Sequence, residues 1–238
     1  MRSFRILAFD ADDTLWHTER LYIRAQARLK ELLSAYMADE GLDERLYRAE
    51  GRNLDHFGYG IKAFALSMIE TAIELTGGRI SAADIQRIID SAREMLLADV
   101  ELLDHVAETL ADLAATHALM LITKGDLRDQ ETKVARSGIG QYFRHIEIVS
   151  DKSAAVYRTI LDKHATPPGQ FLMVGNSLRS DILPVLELGG TAVYVPQELT
   201  WAHETAEAPS ASHPDFYQLE HLGQLPALVA RLEVSPAN

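Results

Sequence analysis

The chain has 238 residues, a formal net charge of −12 and no cysteine, which excludes disulfides, thiol catalysis and cysteine metal sites. The acidic balance argues against binding to nucleic acid or to an anionic membrane surface, because both require a basic face. No apolar run approaches the roughly 18 residues of a membrane span and no leader-like segment opens the sequence, so we expect a cytoplasmic globular protein for which the sequence identifies no protein partner.

The first predicted element is a buried strand over residues 5–9, which runs directly into Asp10-Ala11-Asp12-Asp13-Thr14. Carboxylates two residues apart at the end of a strand point to the same side of the chain. Because neighbouring carboxylates repel, one of them requires a proton, a cationic side chain or a metal ion. The alternative is an acidic turn in which Asp12 or Asp13 caps a helix and Asp10 is only solvated.

The next part of the chain is predicted to be helical. Apolar residues recur at helical intervals among charged ones, Gly77-Gly78 ends one helix and Ser81 begins another. No convincing strand occurs in this region. The predicted helices cover residues 17–40, 43–50, 61–76 and 81–99, with a loop over residues 51–60.

From about residue 103 onward, helices and strands alternate. This pattern predicts parallel strands with crossover helices, and therefore a doubly wound, Rossmann-like α/β sheet covered on both faces. The first strand belongs to this sheet, so residues 1–16 and 101–238 are predicted as the α/β core domain and residues 17–100 as an inserted all-helical domain. The predicted strands are residues 118–123, 146–149, 171–174 and 191–195, the helices are residues 106–116, 128–137, 154–164, 180–188 and 222–232, and a short element covers residues 215–219.

The carboxyl ends of the strands carry the candidate site residues, because ligands of doubly wound sheets bind at that edge. A lysine, a hydroxyl beside a glycine, and several carboxylates and amides on one edge indicate a magnesium site beside a phosphate pocket. Each residue alone has an ordinary alternative, such as a strand threonine, a solvated lysine or a helix-start aspartate. Besides Asp10, Asp12 and Thr14, the candidates are Thr123, Lys124, Gly125, Lys152, Asn176 and Asp181.

Four groups of these residues resemble the four motifs of the haloacid dehalogenase superfamily: Asp10-x-Asp12-x-Thr14, Thr123, Lys152, and Gly175-Asn176-Ser177-x-x-x-Asp181. The resemblance extends over nearly the whole chain, and the helical insertion after the first motif resembles the helical cap of type-1 members. It implies an α/β core, a Mg²⁺ cofactor and a covalent aspartyl-phosphate mechanism. Many relatives carry Asp at the position of Asn176, which affects the expected metal ligands and not the fold.

The resemblance also implies the catalytic roles. Asp10 would attack phosphorus as the nucleophile, and Asp12 would protonate the leaving oxygen and then activate water. Thr14 is expected to restrain Asp12.

The remaining motif residues would bind phosphate and metal. Thr123 and the backbone amides around Lys124 and Gly125 would hold phosphoryl oxygens, while Lys152 would offset the negative charge of the nucleophile and of the transferring group. Oxygen ligands suit Mg²⁺. The expected ligands are Asp10, the backbone carbonyl of Asp12, Asn176 and Asp181, directly or through water.

A turn in the helical region is the candidate for substrate selection. Gly58-Tyr59-Gly60 interrupts the helical pattern, and its spacing with Ala63 matches a dinucleotide-type motif, but no apolar strand precedes it. A tight turn that brings Tyr59 or Lys62 toward the substrate is the better interpretation.

Three functions follow from these residues. The leading hypothesis is a Mg²⁺-dependent phosphomonoesterase that acts on a small phosphorylated metabolite. The second is a carbon–halogen hydrolase of the haloacid dehalogenase type, which Asp12 argues against because dehalogenases of the superfamily do not use an acid at that position. The third is a catalytically impaired binding or regulatory module, motivated only by Asn176.

Overall fold

The computed structural model describes residues 3–36, 41–199 and 201–234. Its centre is a six-stranded sheet in the order β3-β2-β1-β4-β5-β6, in which every described strand pair is parallel. The strands are β1 Ile6–Phe9, β2 Ala118–Lys124, β3 Phe143–Val149, β4 Phe171–Gly175, β5 Thr191–Tyr194 and β6 Phe216–Gln218. The predicted doubly wound α/β sheet is confirmed.

β1 lies in the middle of the sheet because all four of its residues are apolar and fully buried. Its side chains alternate between two cores: Leu7 and Phe9 belong to one, whereas Ile6 and Ala8 belong to the other. Phe9 is level with Leu121 of β2 and Val174 of β4. This register brings the residues that follow all three strands to one edge.

Helices cover both faces of the sheet. The helical residues Val106, Leu110 and Leu225 pack into the core of Leu7 and Phe9. Tyr157 and Val185 pack into the other core. The helices of this part are α5 Val106–Ala114, α6 Leu127–Arg136, α7 Ala154–Lys163, α8 Leu183–Glu187 and α9 Leu225–Val234.

Between residues 19 and 97 the described chain consists mainly of helices. The helices are α1 Glu19–Leu33, α2 Leu42–Phe57, α3 Ile61–Leu75 and α4 Ala82–Leu97. They share a third apolar core that includes Leu29, Leu46, Phe64, Met68 and Ile88. The Ser81 hydroxyl caps α4 by accepting a hydrogen bond from the Asp84 backbone, as its sequence predicts.

The chain forms two compact units. The first consists of residues Met1–His17, Val100–Lys124 and Gln130–Asn238, and the second of Thr18–Asp99 with Gly125–Asp129. We call them the α/β unit and the helical unit. Within the described residues, no helix is both long and apolar enough to cross a membrane.

Two predicted elements differ from the structure. Residues 51–57, predicted as a loop, continue α2, because buried Asn53 donates to Ser67 Oγ and Glu70 Oε2 of α3, each at 3.0 Å. This tertiary anchoring outweighs the helix penalty of Gly51, about 1 kcal/mol. The predicted helix over residues 180–188 is a π-helical turn, Leu178–Ile182, followed by the short α8.

The first predicted helix is also shorter than expected. It was predicted over residues 17–40, but α1 ends at Leu33 and a turn follows through residue 36. Residues 37–40 lie outside the described part of the chain.

Candidate active site

Asp10 follows β1 directly and is the centre of a buried polar cluster. Its backbone N–H donates to Val174 O at 2.9 Å, which keeps it in line with the sheet. The Thr14 hydroxyl lies 2.8 Å from Asp10 Oδ2 and 3.2 Å from Asn176 Oδ1, and it accepts from the Asn176 backbone N–H at 3.1 Å. The expectation that Thr14 restrains Asp12 is therefore wrong: the turn after β1 brings its hydroxyl back onto the nucleophile candidate.

Lys152 lies between two of the carboxylates. Its Nζ is 2.5 Å from Asp10 Oδ1 and 2.7 Å from Asp181 Oδ1, and its side chain is only 1% exposed. Burial by itself would lower the pKa of Lys152, but the charges of Asp10 and Asp181 outweigh it and raise that pKa well above its ordinary value. The lysine is thus a permanent cation at the end of the central strand.

Asp181 is held in place by the chain around it. It lies on the π-helical turn after β4, and its Oδ2 accepts from the Ser177 backbone N–H at 3.0 Å. A Cβ at Gly175 would lie 2.2 Å from Asp181 Oδ2, so only glycine leaves room for this carboxylate against the strand end. Burial, opposed by Lys152 and reinforced by the charge of Asp10, raises the pKa of Asp181 to about 7.

The carboxylate of Asp12 has a separate set of donors. Trp16 Nε1 donates to Oδ1 at 2.7 Å and Gln130 Nε2 donates to Oδ2 at 2.8 Å. Lys133 Nζ lies 2.9 Å from Oδ1 and 3.1 Å from Oδ2. Asp10 and Asp12 are two residues apart, yet each has its own cation.

Gln130, Lys133 and Trp16 were not among the predicted site residues. Gln130 and Lys133 are three residues apart on α6, so they lie on one face of the helix. Their position just after the second strand of the sheet is the signal that identifies them, because that edge binds ligands.

The second strand places Thr123 and Lys124 at the same edge. Thr123 is buried and stands two positions beyond Leu121, the partner of Phe9. Lys124 Nζ donates to Ser180 Oγ at 2.8 Å and forms an ion pair with Glu204. Glu204 was also not predicted, because it lies in the irregular stretch after β5 and no sequence pattern singles it out.

The other predicted substrate residues belong to the helical unit. These are Tyr59, Lys62 and Gly125. Lys62 Nζ forms an ion pair with Asp126 Oδ1 of the same unit at 2.8 Å, which lowers the pKa of Asp126. Roles for these residues in substrate binding stay predictions.

The site chemistry fits a divalent cation. One ammonium faces two buried carboxylates, and burial, more than the charge of Asp10, raises the pKa of Asp181. The donors are all oxygen atoms, from Asp10, Asp181 and the Asn176 amide, which Mg²⁺ prefers. Among the described residues, no three His, Cys, Asp or Glu side chains form a metal-binding group, so such a site depends on the amide and on backbone oxygen.

Comparison with known proteins agrees with this geometry. The family model for haloacid dehalogenase-like hydrolases matches residues 4–189. A haloacid dehalogenase-like family hydrolase from Xanthomonas campestris is 42% identical over 97% of this chain and 92% of its own, with a TM-score of 0.87. The chain belongs to the haloacid dehalogenase-like hydrolases. No curated protein matches it.

Two further solved structures show the range of the likeness. The 2-haloacid dehalogenase from Pseudomonas syringae pv. Tomato DC3000 is 25% identical over 96% of this chain and 99% of its own, with a TM-score of 0.65. The HAD-hydrolase YfnB from Bacillus subtilis, solved bound to magnesium, is 15% identical over 96% of this chain and 99% of its own, with a TM-score of 0.67. The latter likeness concerns the fold alone. Family membership thus defines a hydrolase without choosing the bond that it cleaves.

Proposed function

We propose that the protein is a Mg²⁺-dependent phosphomonoesterase that hydrolyses a small phosphorylated metabolite through an aspartyl-phosphate on Asp10. The observation that carries this proposal is the pair of carboxylates with different partners: Asp10 between Lys152 and Thr14, and Asp12 with its own donors. A phosphate ester requires both, because the leaving alkoxide needs a proton and a halide does not.

The first half of the reaction uses both carboxylates. An oxygen of Asp10 attacks phosphorus, the phosphorus–oxygen bond to the leaving group breaks, and Asp12 protonates the leaving oxygen. Lys152, 2.5 Å from Asp10 Oδ1, and Thr14, 2.8 Å from Oδ2, orient the nucleophile.

The second half releases phosphate. Asp12 takes a proton from water, the water oxygen attacks phosphorus, and the bond between phosphorus and Asp10 breaks, which restores the enzyme. The hydroxyl of Thr123 and the backbone N–H groups that follow it would hold the phosphoryl oxygens in both steps.

The cation would be held by Asp10, the Asp12 carbonyl, Asn176 and Asp181. When bound, it supplies positive charge that screens the carboxylates from the phosphate dianion and stabilises the charge of the transferring group. The chemistry of the donors supports Mg²⁺ in this role.

A screen of small phosphorylated metabolites, with and without Mg²⁺, tests the proposal through release of inorganic phosphate. Asp10→Asn should abolish turnover, whereas Asp12→Asn should slow it by about 10²–10⁴, and both variants should fold. Near-normal phosphatase activity in Asp10→Asn would exclude the covalent mechanism.

Dehalogenation is the second candidate, since a 2-haloacid dehalogenase is among the relatives in structure. Halide release from 2-haloacids by the wild-type protein, without phosphate release from any phosphorylated metabolite, would favour it. Turnover of neither class would favour the binding or regulatory module.

A further inference from the structure

Glu204 lies in a helical turn, Ala202–Glu204, in the chain between β5 and β6, far in sequence from every motif residue. Its side chain is nevertheless only 12% exposed. Its Oε2 accepts from the hydroxyls of Ser177 and Ser180, each at 2.5 Å, and its Oε1 pairs with Lys124. Ordering and burying a charged side chain costs free energy. A surface loop can close without such a buried carboxylate, so Glu204 calls for another explanation.

The two serines belong to the segment that carries the candidate metal ligands. Ser177 caps the π-helical turn, since its hydroxyl accepts from the Ser180 backbone N–H at 3.0 Å. The Ser177 backbone N–H in turn donates to Asp181 Oδ2 at 3.0 Å, and Asn176 immediately precedes Ser177. Glu204 therefore holds the residues that hold Asp181.

Two more contacts fix the same turn. The Tyr157 hydroxyl donates to Ser180 O at 3.0 Å from the α7 side, and Arg179 Nη1 donates to His203 O at 3.0 Å. The latter ties the turn to the backbone beside Glu204. π-Helical turns are rare and are found frequently at functional sites.

Lys124 helps to keep the side chain of Glu204 ionised. Burial by itself would raise the pKa of Glu204, but the Lys124 ammonium and the hydroxyls of Ser177 and Ser180 lower it below its ordinary value. An ionised carboxylate is the stronger acceptor, and charge-assisted hydrogen bonds of this type are roughly twice as strong as neutral ones. The serines are thus held firmly.

We propose that Glu204 is a positioning residue: together with Lys124 it fixes the turn that carries Asp181, and so sets the affinity of the site for its divalent cation. This inference rests on the proposed metal-dependent function. Removal of such outer partners typically weakens metal binding about 10- to 100-fold.

The test measures metal binding directly, without substrate. Mg²⁺ is titrated by calorimetry, and Mn²⁺ by the electron paramagnetic resonance signal of the free ion, into the wild-type protein, Glu204→Ala and Glu204→Gln. Glu204→Ala should raise the metal dissociation constant about 10- to 100-fold. Glu204→Gln keeps the shape but loses the ion pair, and should raise it by a smaller factor. Glu207→Gln, an exposed carboxylate of the same loop, is the matched control and should leave it unchanged.

The outcomes separate the two proposals. Metal binding by the wild-type protein that is unchanged in folded Glu204→Ala overturns the role of Glu204 alone. If Glu204→Ala does not fold, Glu204→Gln decides the question by the same measurement. Absence of metal binding in the wild-type protein overturns the metal-dependent function and this inference with it.

Discussion

Asp10, Lys152 and Asp181 form a buried charged centre at the edge of the sheet. This centre and the charged surface of the helical unit use the same residue types, one buried and the other exposed. The side chains of Lys152 and Asp181 are each 1% exposed. Those of Arg48 and Glu44, which pair along α2, are 66% and 67% exposed. Water screens the exposed pair to roughly 0–1 kcal/mol, whereas removal of one partner of a buried pair costs about 3–5 kcal/mol.

The two regions also differ in charge balance. On the helical unit, Arg28 pairs with Glu94 and Arg45 pairs with Glu74. In the charged centre, one lysine faces two carboxylates. A buried, unbalanced cluster contributes little net stability, which agrees with the cation that we propose for this site. The exposed pairs need no ligand to explain them.

Replacement of the central cation should have the largest effect. Lys152→Met keeps the length of the side chain but leaves two buried carboxylates unneutralised, so the free energy of unfolding should fall by about 3–5 kcal/mol and turnover should be lost. Urea unfolding followed by circular dichroism measures the first quantity. The control is Lys163→Met, whose side chain is 60% exposed beside Glu147. A loss equal to that of the control would show that burial does not distinguish these lysines.

An added negative charge in the same centre should raise the affinity of the site for Mg²⁺. Asn176→Asp supplies a further carboxylate, so the Mg²⁺ concentration that gives half-maximal activity should fall about 10- to 100-fold. The same charge repels the phosphate dianion, so kcat/KM at saturating metal should not rise. A Mg²⁺ titration of activity in both proteins measures this. An unchanged half-saturating concentration would mean that Asn176 does not contact the metal.

The burial of His145 is intermediate between that of Lys152 and that of Arg48. We expect this histidine to make the free energy of unfolding depend on pH. Burial, and next the charge of His164 and Arg144, lower the pKa of half-buried His145 below its ordinary value of 6.5. As the pH falls below 6.5, the unfolded chain therefore takes up a proton that the folded chain resists, and stability declines. Above this range the effect is absent.

His145→Gln should remove that part of the pH dependence. Relative to the wild-type protein, the variant should gain stability steadily as the pH falls from about 7 to about 5, measured by urea unfolding at each pH. A constant difference between His145→Gln and the wild-type protein across this range would count against the assignment.

The smallest effect is expected on the helical surface. Arg48→Ala removes a pair with Glu44 one helical turn away and should change the free energy of unfolding by no more than about 0.5 kcal/mol. The same urea measurement decides it. A loss as large as that of Lys152→Met would contradict the distinction between the two regions.

Much of the α/β unit is predictable from local pattern. The central strand over Ile6–Phe9 has only apolar residues, and the later alternation of helix and strand repeats at short intervals, so a parallel sheet and the edge that carries the site follow from general rules. Asp10, Lys152 and Asp181 meet where those rules place them. The extent of α2 was not predictable in this way, because Gly51 ends the local signal and only the contact of Asn53 with α3 continues the helix.

The sequence by itself determined the fold class, the separation of a helical region from the sheet, and the edge at which the charged residues meet, because hydrophobic periodicity and strand-end chemistry are local properties. Tertiary structure decided which oxygen contacts which donor: Thr14 contacts Asp10, Lys133 contacts Asp12, and Lys124 contacts Glu204. The contacts of Asp12 with Lys133 and of Glu204 with Lys124 join residues distant in the chain, and the contact of Thr14 with Asp10 depends on how the turn after β1 directs the Thr14 side chain. Periodicity in the sequence predicts which face of an element a side chain occupies, but not which partner atom that side chain reaches.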